Sequence, residues 1–280
     1  MSGRLREIAR QTVEIAESGH YRDPAGREIS IAGAVASAVA GTRHYLPETP
    51  LPVPPAADPA GAGPVVTVTR ESTLVAARRL APDAACLVFA SAKNPGGGFL
   101  GGAKAQEESL ARASALYPCL RTAPEFYDFH RAQHDLRYSD RVIYSPAVPV
   151  FRDDKGNLLD QPYQVAFLTS AAPNLGAILR NQPADAAGVP AVLRRRAERV
   201  LRVAAAHGHR RLVLGAWGCG VFRNDAATVA RAFAGALAEV DRFDQVVFAV
   251  YDNLPGTPVY AAFAEVFPAA SAVASAVLES

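Results

Sequence analysis

After Pro64, short apolar runs alternate with segments whose apolar residues recur at helical spacing. The runs are continuous, which is typical of strands that are buried on both faces of a sheet. Strands that alternate with helices indicate an α/β fold, and we expect a three-layer α/β/α sandwich around a mixed or mostly parallel sheet. The predicted strands are residues 65–70, 85–92, 163–174, 210–217 and 245–252, with a strand pair in 141–159 that turns at Gly156 and Asn157. The predicted helices are residues 72–81, 106–120, 191–208, 224–240 and 257–267.

The residues before this region follow a different pattern. Four of them share one face of an amphipathic helix, namely Leu5, Ile8, Thr12 and Ile15. A turn with a short strand and a second helical piece come next. Residues 46–64 are dense in proline, alanine and glycine, which indicates a linker or an extended surface crossing. We therefore expect residues 1–63 to form an N-terminal helical extension with a Pro-rich linker, packed on a main domain of residues 64–280.

The composition argues against several classes of protein. The formal charge of the 280 residues is +2, which argues against a broad basic face that binds duplex DNA. No apolar run approaches the ~20 residues of a membrane helix, and the first residues lack the apolar core of a signal peptide. Cys86, Cys119 and Cys219 have no paired spacing, which fits a reducing compartment. We expect a cytoplasmic protein that binds neither membranes nor duplex nucleic acid.

A glycine-rich loop, "NPGGGFLGGAKAQEES" (residues 94–109), follows the second predicted strand of the main domain. Gly96, Gly98 and Gly101 match the dinucleotide-binding pattern G-x-G-x-x-G, but three further residues separate them from the helix start, where that pattern requires a tight turn. The phosphate-binding P-loop fits less well, because Ala103 and Lys104 stand where Lys and Ser/Thr are required. A surface linker and a simple preference for acid at a helix start remain open as alternatives.

A second glycine loop, "GAWGCGVFRND", follows the predicted strand at residues 210–217. Its small residues allow several backbone N–H groups to converge on one anion, and Asn224 or Asp225 can cap the next helix. A tight strand-to-helix turn is the structural alternative. Ligands in open α/β sheets bind beyond the carboxyl ends of the strands, where both glycine loops are expected.

At this point three motifs resemble a known family. "GGGFLGGAKAQEE" is similar to the signature of poly(ADP-ribose) glycohydrolases, "GAWGCGVF" resembles the diphosphate loop of macrodomains, and "TSAAPN" resembles the bacterial-type branch. The resemblance covers the chain from about residue 65 to its end. It implies a macrodomain fold that binds ADP-ribose and hydrolyses the ribose–ribose O-glycosidic bond of poly(ADP-ribose), without a metal or cofactor. The implied substrates are the polymer and ADP-ribosylated proteins, the implied product is ADP-ribose, and we expect a monomer.

The resemblance also implies roles for individual residues. Glu108 would be the catalytic acid, Glu107 would bind the adjacent ribose hydroxyls, and Gln106 would help hold the loop. Phe222 would pack on the terminal ribose. The ribose pocket would be shaped by Asn94, Gly96, Gly97 and Gly98, and the diphosphate would lie on Gly215, Gly218, Cys219, Gly220 and Val221. No motif identifies the adenine site, for which Glu71 and residues 251–253 are candidates.

The requirements of glycoside cleavage, considered apart from the resemblance, are also consistent with a single catalytic acid. Glycoside cleavage requires a group that protonates the leaving oxygen and stabilisation of an oxocarbenium-like centre. Adjacent residues on a helix point about 100° apart, so Glu107 and Glu108 cannot easily flank one bond as a paired acid and base. We expect Glu108 to act in both steps.

Other groups of residues suggest chemistry less strongly. His130 and His134 are one helical turn apart, but no third metal ligand lies nearby in the sequence. Cys219 has no indicated histidine partner for nucleophilic catalysis. The basic segment 193–202 fits a solvated helix face better than a contact with polymer phosphates. Two other functions stay open: a macrodomain that binds ADP-ribose without catalysis, against which residues 106–108 argue, and a hydrolase of mono-ADP-ribosylated protein.

Overall fold

The structure is a computed structural model that describes residues 2–52 and 63–268. The strands are β1 (His20–Arg22), β2 (Glu28–Ser30), β3 (Arg43–Tyr45), β4 (Val65–Thr69), β5 (Ala84–Phe89), β6 (Val142–Arg152), β7 (Leu158–Ser170), β8 (Arg211–Leu214) and β9 (Gln245–Ala249). The helices are α1 (Ser2–Ser18), α2 (Ala32–Gly41), α3 (Thr73–Leu80), α4 (Gln106–Ala113), α5 (Leu116–Arg121), α6 (Pro124–Ala132), α7 (Leu175–Asn181), α8 (Val189–Ala206), α9 (Ala226–Glu239) and α10 (Pro258–Val266). No helix in the described part is long and apolar enough to cross a membrane.

A mixed sheet forms the centre of the molecule, with strand order β3-β6-β7-β5-β8-β9-β4. The strands from β7 to β4 are parallel to one another, whereas β3 and β6 join the sheet through antiparallel pairs. Five parallel strands therefore end at the same edge of the sheet. β1 and β2 form a separate antiparallel pair near the N-terminus.

Side chains that alternate along each strand divide the interior into two layers. In β5, Leu87 packs with α8, α9 and α10, while Cys86 and Val88 pack with α2, α3, α4 and α5 on the opposite face. All three side chains are fully buried. Because both faces of these strands are covered, their sequences show the continuous apolar runs of a buried parallel sheet. The predicted α/β/α sandwich with a mixed sheet is confirmed.

Three details of the sequence prediction are wrong. The single helix predicted at residues 106–120 is two helices, because Ser114 leaves the helical conformation to pair with Val150 of β6. The second strand of the predicted pair and the strand predicted at 163–174 are parts of one long strand, β7, which ends at Ser170. Helices α6 and α7 lie in segments where no helix was predicted.

The N-terminal helix packs directly on the first glycine loop. Ala9 is fully buried against Phe99 and Ala111, and the hydroxyl of Thr12 donates a hydrogen bond of 2.6 Å to the Arg112 carbonyl. Residues 43–45 supply β3, an edge strand of the main sheet. The boundary predicted between residues 63 and 64 adjoins residues 53–62 of the linker, which lie outside the described residues, and the division stays a prediction.

Candidate active site

Both glycine loops begin at the carboxyl edge of the parallel strands. The first loop follows β5 and the second follows β8, which is the neighbour of β5 in the sheet. The carbonyl of Ser170, the last residue of β7, accepts hydrogen bonds from Ala90 N–H (3.2 Å) and from the indole N–H of Trp217 (3.0 Å). One carbonyl thus connects the start of the first loop with the second loop.

Gln106 attaches the start of α4 to the end of β5. Its Oε1 accepts a hydrogen bond from Phe89 N–H (2.9 Å), and its Nε2 donates to the Leu87 carbonyl (2.8 Å) and to Thr73 Oγ1 (3.1 Å). The amide therefore satisfies backbone groups where the strand ends and also contacts α3. These contacts hold the helix that carries the two glutamates at a fixed distance from the sheet.

Glu107 is almost completely buried, with 2% of its surface exposed. Its Oε2 accepts a hydrogen bond of 2.6 Å from Ser91 N–H, while its Oε1 has no partner among the described residues. Burial raises the pKa of Glu107 well above its ordinary value, Glu108 adds to that rise, and the N–H groups of Ser91 and Gly96 oppose it. Glu107 is therefore a buried carboxyl that backbone N–H groups of the segment after β5 hold in place.

Glu108 is only partly buried, and its Oε1 accepts a hydrogen bond of 3.0 Å from Gly98 N–H. Gly97 lies directly against both carboxylates and has a φ of +59°. A Cβ atom at Gly97 would overlap Glu108 Oε1 and would lie 3.1 Å from Glu107 Oε2. Both carboxylates fit against the backbone of Gly97 because this residue has no side chain.

The rest of the first loop is a series of tight turns. The Asn94 carbonyl accepts a hydrogen bond from Gly97 N–H (3.0 Å), and Asn94 N–H donates to Ser91 Oγ (3.2 Å). Gly96 is buried against Phe99, whose ring packs below the loop. The side chain of Asn94 is exposed. The loop therefore places these predicted site residues beside Glu107 and Glu108, as expected from their closeness in the sequence.

The second loop is closed by Asn224. Its Nδ2 donates to the carbonyls of Pro173 (2.8 Å) and Gly218 (3.1 Å), so it joins the loop to the segment after β7. A Cβ atom on Gly218 would lie 2.5 Å from Asn224 Nδ2 and 2.6 Å from the Ala172 side chain. Asp225, rather than Asn224, caps α9, because its carboxylate accepts Thr228 N–H at 2.8 Å.

Three successive residues of the second loop present free backbone donors. Within the described part of the chain, the N–H groups of Gly220, Val221 and Phe222 have no acceptor. Val221 is 83% exposed, and a Cβ atom on Gly220 would meet no atom within 4 Å. Gly215 lies at the base of the loop against the Ala249 carbonyl and the Phe89 ring. These exposed backbone N–H groups can donate hydrogen bonds to an anion.

Cys219 lies within this loop but has the wrong properties for a nucleophile. Burial raises the pKa of its thiol to about 12, so the thiol keeps its proton at neutral pH. The thiolate is the reactive form of cysteine. Cys219 is therefore a largely covered residue of the loop and not a nucleophile.

The sequence analysis assigned Arg196 to a solvated basic helix face, but the structure places its side chain inside the protein, next to the site. Its side chain is fully buried, donates to the Ala171 carbonyl at 2.7 Å and pairs with Asp140 at 2.9 Å. Burial alone would raise the pKa of Asp140, but Arg195 and Arg196 hold that pKa below its ordinary value. A buried ion pair thus fixes the backbone at the end of β7.

The remaining candidates lie outside the two glycine loops. Both ring nitrogens of buried His130 are engaged, with the Phe126 carbonyl (2.7 Å) and with Ser139 Oγ (2.8 Å), whereas His134 is exposed. No group of three His, Cys, Asp or Glu side chains in the described residues could hold a metal ion. Of the adenine candidates, Glu71 pairs with Arg79, while Tyr251 is 69% exposed.

Comparison with known proteins supplies the class of this site. Residues 9–153 match the family described as microbial-type PARG, catalytic domain. The chain is 54% identical in sequence to poly(ADP-ribose) glycohydrolase from Thermomonospora curvata, and its structure matches that crystal structure with a TM-score of 0.88. The match covers 95% of this chain and 100% of that one. The same enzyme bound to the inhibitor ADP-HPD gives 53% identity and a TM-score of 0.83, over 94% and 99%.

A second organism gives a similar result. Poly(ADP-ribose) glycohydrolase from Deinococcus radiodurans in complex with ADP-ribose is 43% identical with a TM-score of 0.76, over 86% of this chain and 99% of that one. The comparison with curated protein sequences gave no match. The chain therefore belongs to the bacterial-type poly(ADP-ribose) glycohydrolase family, as the motifs predicted.

The close fit of Gly97 generates the first prediction. Gly97→Ala should displace the Glu108 carboxylate, and a displacement of about 1 Å at a reacting group can cost on the order of 100-fold in rate. We expect the variant to fold and to lose at least that factor in polymer hydrolysis, measured as kcat/KM.

Gly101→Ala is the matched control in the same loop, because its Cβ atom would meet nothing within 4 Å and its φ is not positive. The control should retain parental activity. Equal activities of the two variants would contradict the proposed contact between Gly97 and Glu108.

The buried carboxyl of Glu107 predicts a dependence of stability on pH. Its pKa is higher in the folded state than the ~4.3 of an unfolded glutamate, so folding favours the protonated form. This contribution is complete below the unfolded pKa and is lost as pH rises through the folded pKa. Glu107→Gln lacks the titration, so the parent should lose stability relative to this variant as pH rises above about 4.3. Denaturant unfolding from acid to alkaline pH measures the difference, and parallel curves would contradict it.

Proposed function

We propose that this poly(ADP-ribose) glycohydrolase cleaves the ribose–ribose O-glycosidic bond with Glu108 as both acid and base. The observation that carries the proposal is the position of the Glu108 carboxylate against Gly97, held by Gly98 N–H at the carboxyl edge of the sheet. Glu108 is the more exposed of the two adjacent glutamates, as a group that meets the bridging oxygen of a polymer requires.

The reaction has two steps. Protonated Glu108 gives its proton to the bridging oxygen as the bond from that oxygen to the anomeric carbon breaks, and an oxocarbenium-like ribose develops. Water then attacks the anomeric carbon and loses a proton to the Glu108 carboxylate, which restores the acid. The product is ADP-ribose. No other group is required to carry a proton.

Glu107 binds and orients the ribose in this proposal. Its Oε2 is occupied by Ser91 N–H, whereas its Oε1 is buried without a partner among the described residues. An unpaired buried polar atom costs free energy, and a ribose hydroxyl would relieve that cost. The raised pKa favours a protonated carboxyl, which can both donate to and accept from ribose hydroxyls.

The second glycine loop binds the diphosphate. The free N–H groups at residues 220–222 follow one another along an exposed stretch, and such successive donors form anion sites. Gly218 is in the left-handed region with φ of +71°, which turns the loop at this point. Phe222 is partly exposed beside this loop, where its ring can pack on the terminal ribose.

We also propose a setting for the reaction. The enzyme acts as a monomer on polymer attached to proteins, in the cytoplasm, without binding duplex nucleic acid. The formal charge of +2 and the three free cysteines support this proposal. Residues 1–63 form an extension on a catalytic domain of residues 64–280, and the packing of α1 against the first glycine loop supports that division of roles.

Glu108→Gln tests the proposed mechanism. The substitution keeps the size and hydrogen-bonding reach of the side chain and removes its titrating proton. General acid–base catalysis contributes about 10²–10⁴-fold, and we expect a loss at or beyond the upper end of this range. Affinity for ADP-ribose should stay within a few-fold of the parent.

Glu107→Gln is the comparison variant, and its substrate binding should weaken together with its turnover. Hydrolysis of labelled polymer, with calorimetry for ADP-ribose, separates the two variants. Near-parental turnover by Glu108→Gln would show that Glu108 is not the acid.

Two glycines of the second loop test the diphosphate site. Gly220→Ala adds a methyl group where no protein atom lies within 4 Å, so it should weaken ADP-ribose binding without changing the melting temperature of the free protein. Gly218→Ala should lower both the affinity for ADP-ribose and the melting temperature, since its Cβ atom would collide with Asn224 and Ala172. Calorimetry and thermal melts measure the two quantities. If Gly220→Ala binds ADP-ribose with parental affinity, the N–H groups at residues 220–222 are not part of the diphosphate site.

A further inference from the structure

Tyr138 has a backbone conformation that is unusual for its residue type. It lies between α6 and β6, and its φ is +61°. An L-residue with a large side chain rarely adopts this left-handed region, because its Cβ atom approaches the backbone too closely. Strained residues of this kind persist only where the surroundings hold them, and they concentrate at functional sites.

Hydrogen bonds hold the turn before Tyr138 in place. Tyr138 N–H donates to the Asp135 carbonyl at 3.1 Å. The Leu136 carbonyl accepts Asn174 N–H at 3.0 Å, and Leu136 N–H donates to Gln182 Oε1 at 3.0 Å. The turn is thus attached to the segment that follows β7 and to the end of α7.

The residues after Tyr138 are held equally well. Ser139 Oγ lies 2.8 Å from Nε2 of buried His130, and Asp140 pairs with the fully buried Arg196. Because anchors stand on both sides of Tyr138, the backbone cannot relax to a more common conformation. The strain at Tyr138 is imposed by its neighbours.

In this conformation the Tyr138 ring contacts two aromatic side chains. The His130 ring meets it edge-on, with centroids 5.7 Å apart and an angle of 87° between planes. The Phe222 ring also contacts it, with centroids 6.0 Å apart and an angle of 47° between planes. Since Phe126 and Ser139 occupy both nitrogens of His130, that ring cannot turn.

Phe222 packs against the main core on part of its surface and is exposed on the rest. Its carbonyl accepts Gly176 N–H at 2.9 Å, which fixes the backbone, but its side chain is partly exposed. We propose that Tyr138 is a positioning residue that fixes the orientation of the Phe222 ring against the terminal ribose. The inference rests on the role proposed above for Phe222.

Tyr138→Asn is the informative substitution, because asparagine tolerates the left-handed region and has no ring. We expect the stability of the variant to equal or exceed that of the parent. Its KM for polymer and its Kd for ADP-ribose should rise between about 10-fold and 100-fold, as expected for a misplaced contact residue. Tyr138→Phe keeps the ring and should behave as the parent. A ring with a purely structural role would instead lower stability when removed.

A double-mutant cycle with Phe222→Ala completes the test. Tyr138→Asn should cause little further loss in the Phe222→Ala background, because it acts through the ring that is already absent. Additive losses, or parental KM and Kd for Tyr138→Asn alone, would overturn the inference. If Phe222→Ala itself behaves as the parent, the role proposed for Phe222 fails and the inference fails with it.

Folding of the variant provides a separate check. Tyr138→Gly also suits a positive φ and replaces Tyr138→Asn if the latter does not fold. Failure of both variants to fold would overturn the inference, since it would make the ring a structural requirement. All assays are run well below the melting temperatures, which are measured for every variant.

Discussion

The carbonyl of Ser170 holds the two halves of the site together. It accepts one hydrogen bond from the start of the first glycine loop and another from the Trp217 indole in the second loop. Parallel strands make this possible, because β7, β5 and β8 are neighbours that end at the same edge. The positions of both glycine loops therefore depend on one strand end. Arg196 in turn secures the next residue, Ala171, by donating to its carbonyl from inside the protein.

The two adjacent glutamates acquire different properties from this arrangement. Consecutive residues on α4 point in directions about 100° apart, so one side chain faces the interior and the other faces the open edge. Glu107 is buried against Ser91 and Glu108 reaches the loop at Gly98. The helix start thus gives two adjacent carboxylates different surroundings, and the roles proposed for them as ribose ligand and proton donor rest on that difference. Gly97 makes the close approach possible, because a side chain there would overlap Glu108.

The sequence predicted the parts of the fold and site whose signals are local. Continuous apolar runs revealed the parallel strands, since both faces of those strands are buried, and the glycine loops with residues 106–108 lie close together in the chain. The helix break at Ser114 was missed because its cause is a pairing with Val150, distant in sequence. Asn224, Arg196 and Tyr138 were missed as supports for the same reason, since each acts through contacts with remote segments.

The order of the strands has a consequence for how the protein is made. Both edges of the sheet come from early parts of the chain that pair with much later ones: Arg43 lies opposite Tyr144, and Val65 lies opposite Gln245. Pairings between such distant residues form slowly, because a long loop must close first. During synthesis β4 has no neighbour until β9 leaves the ribosome. The first glycine loop is therefore translated long before the sheet that supports it can close, and the sheet is complete only after β9 has been translated.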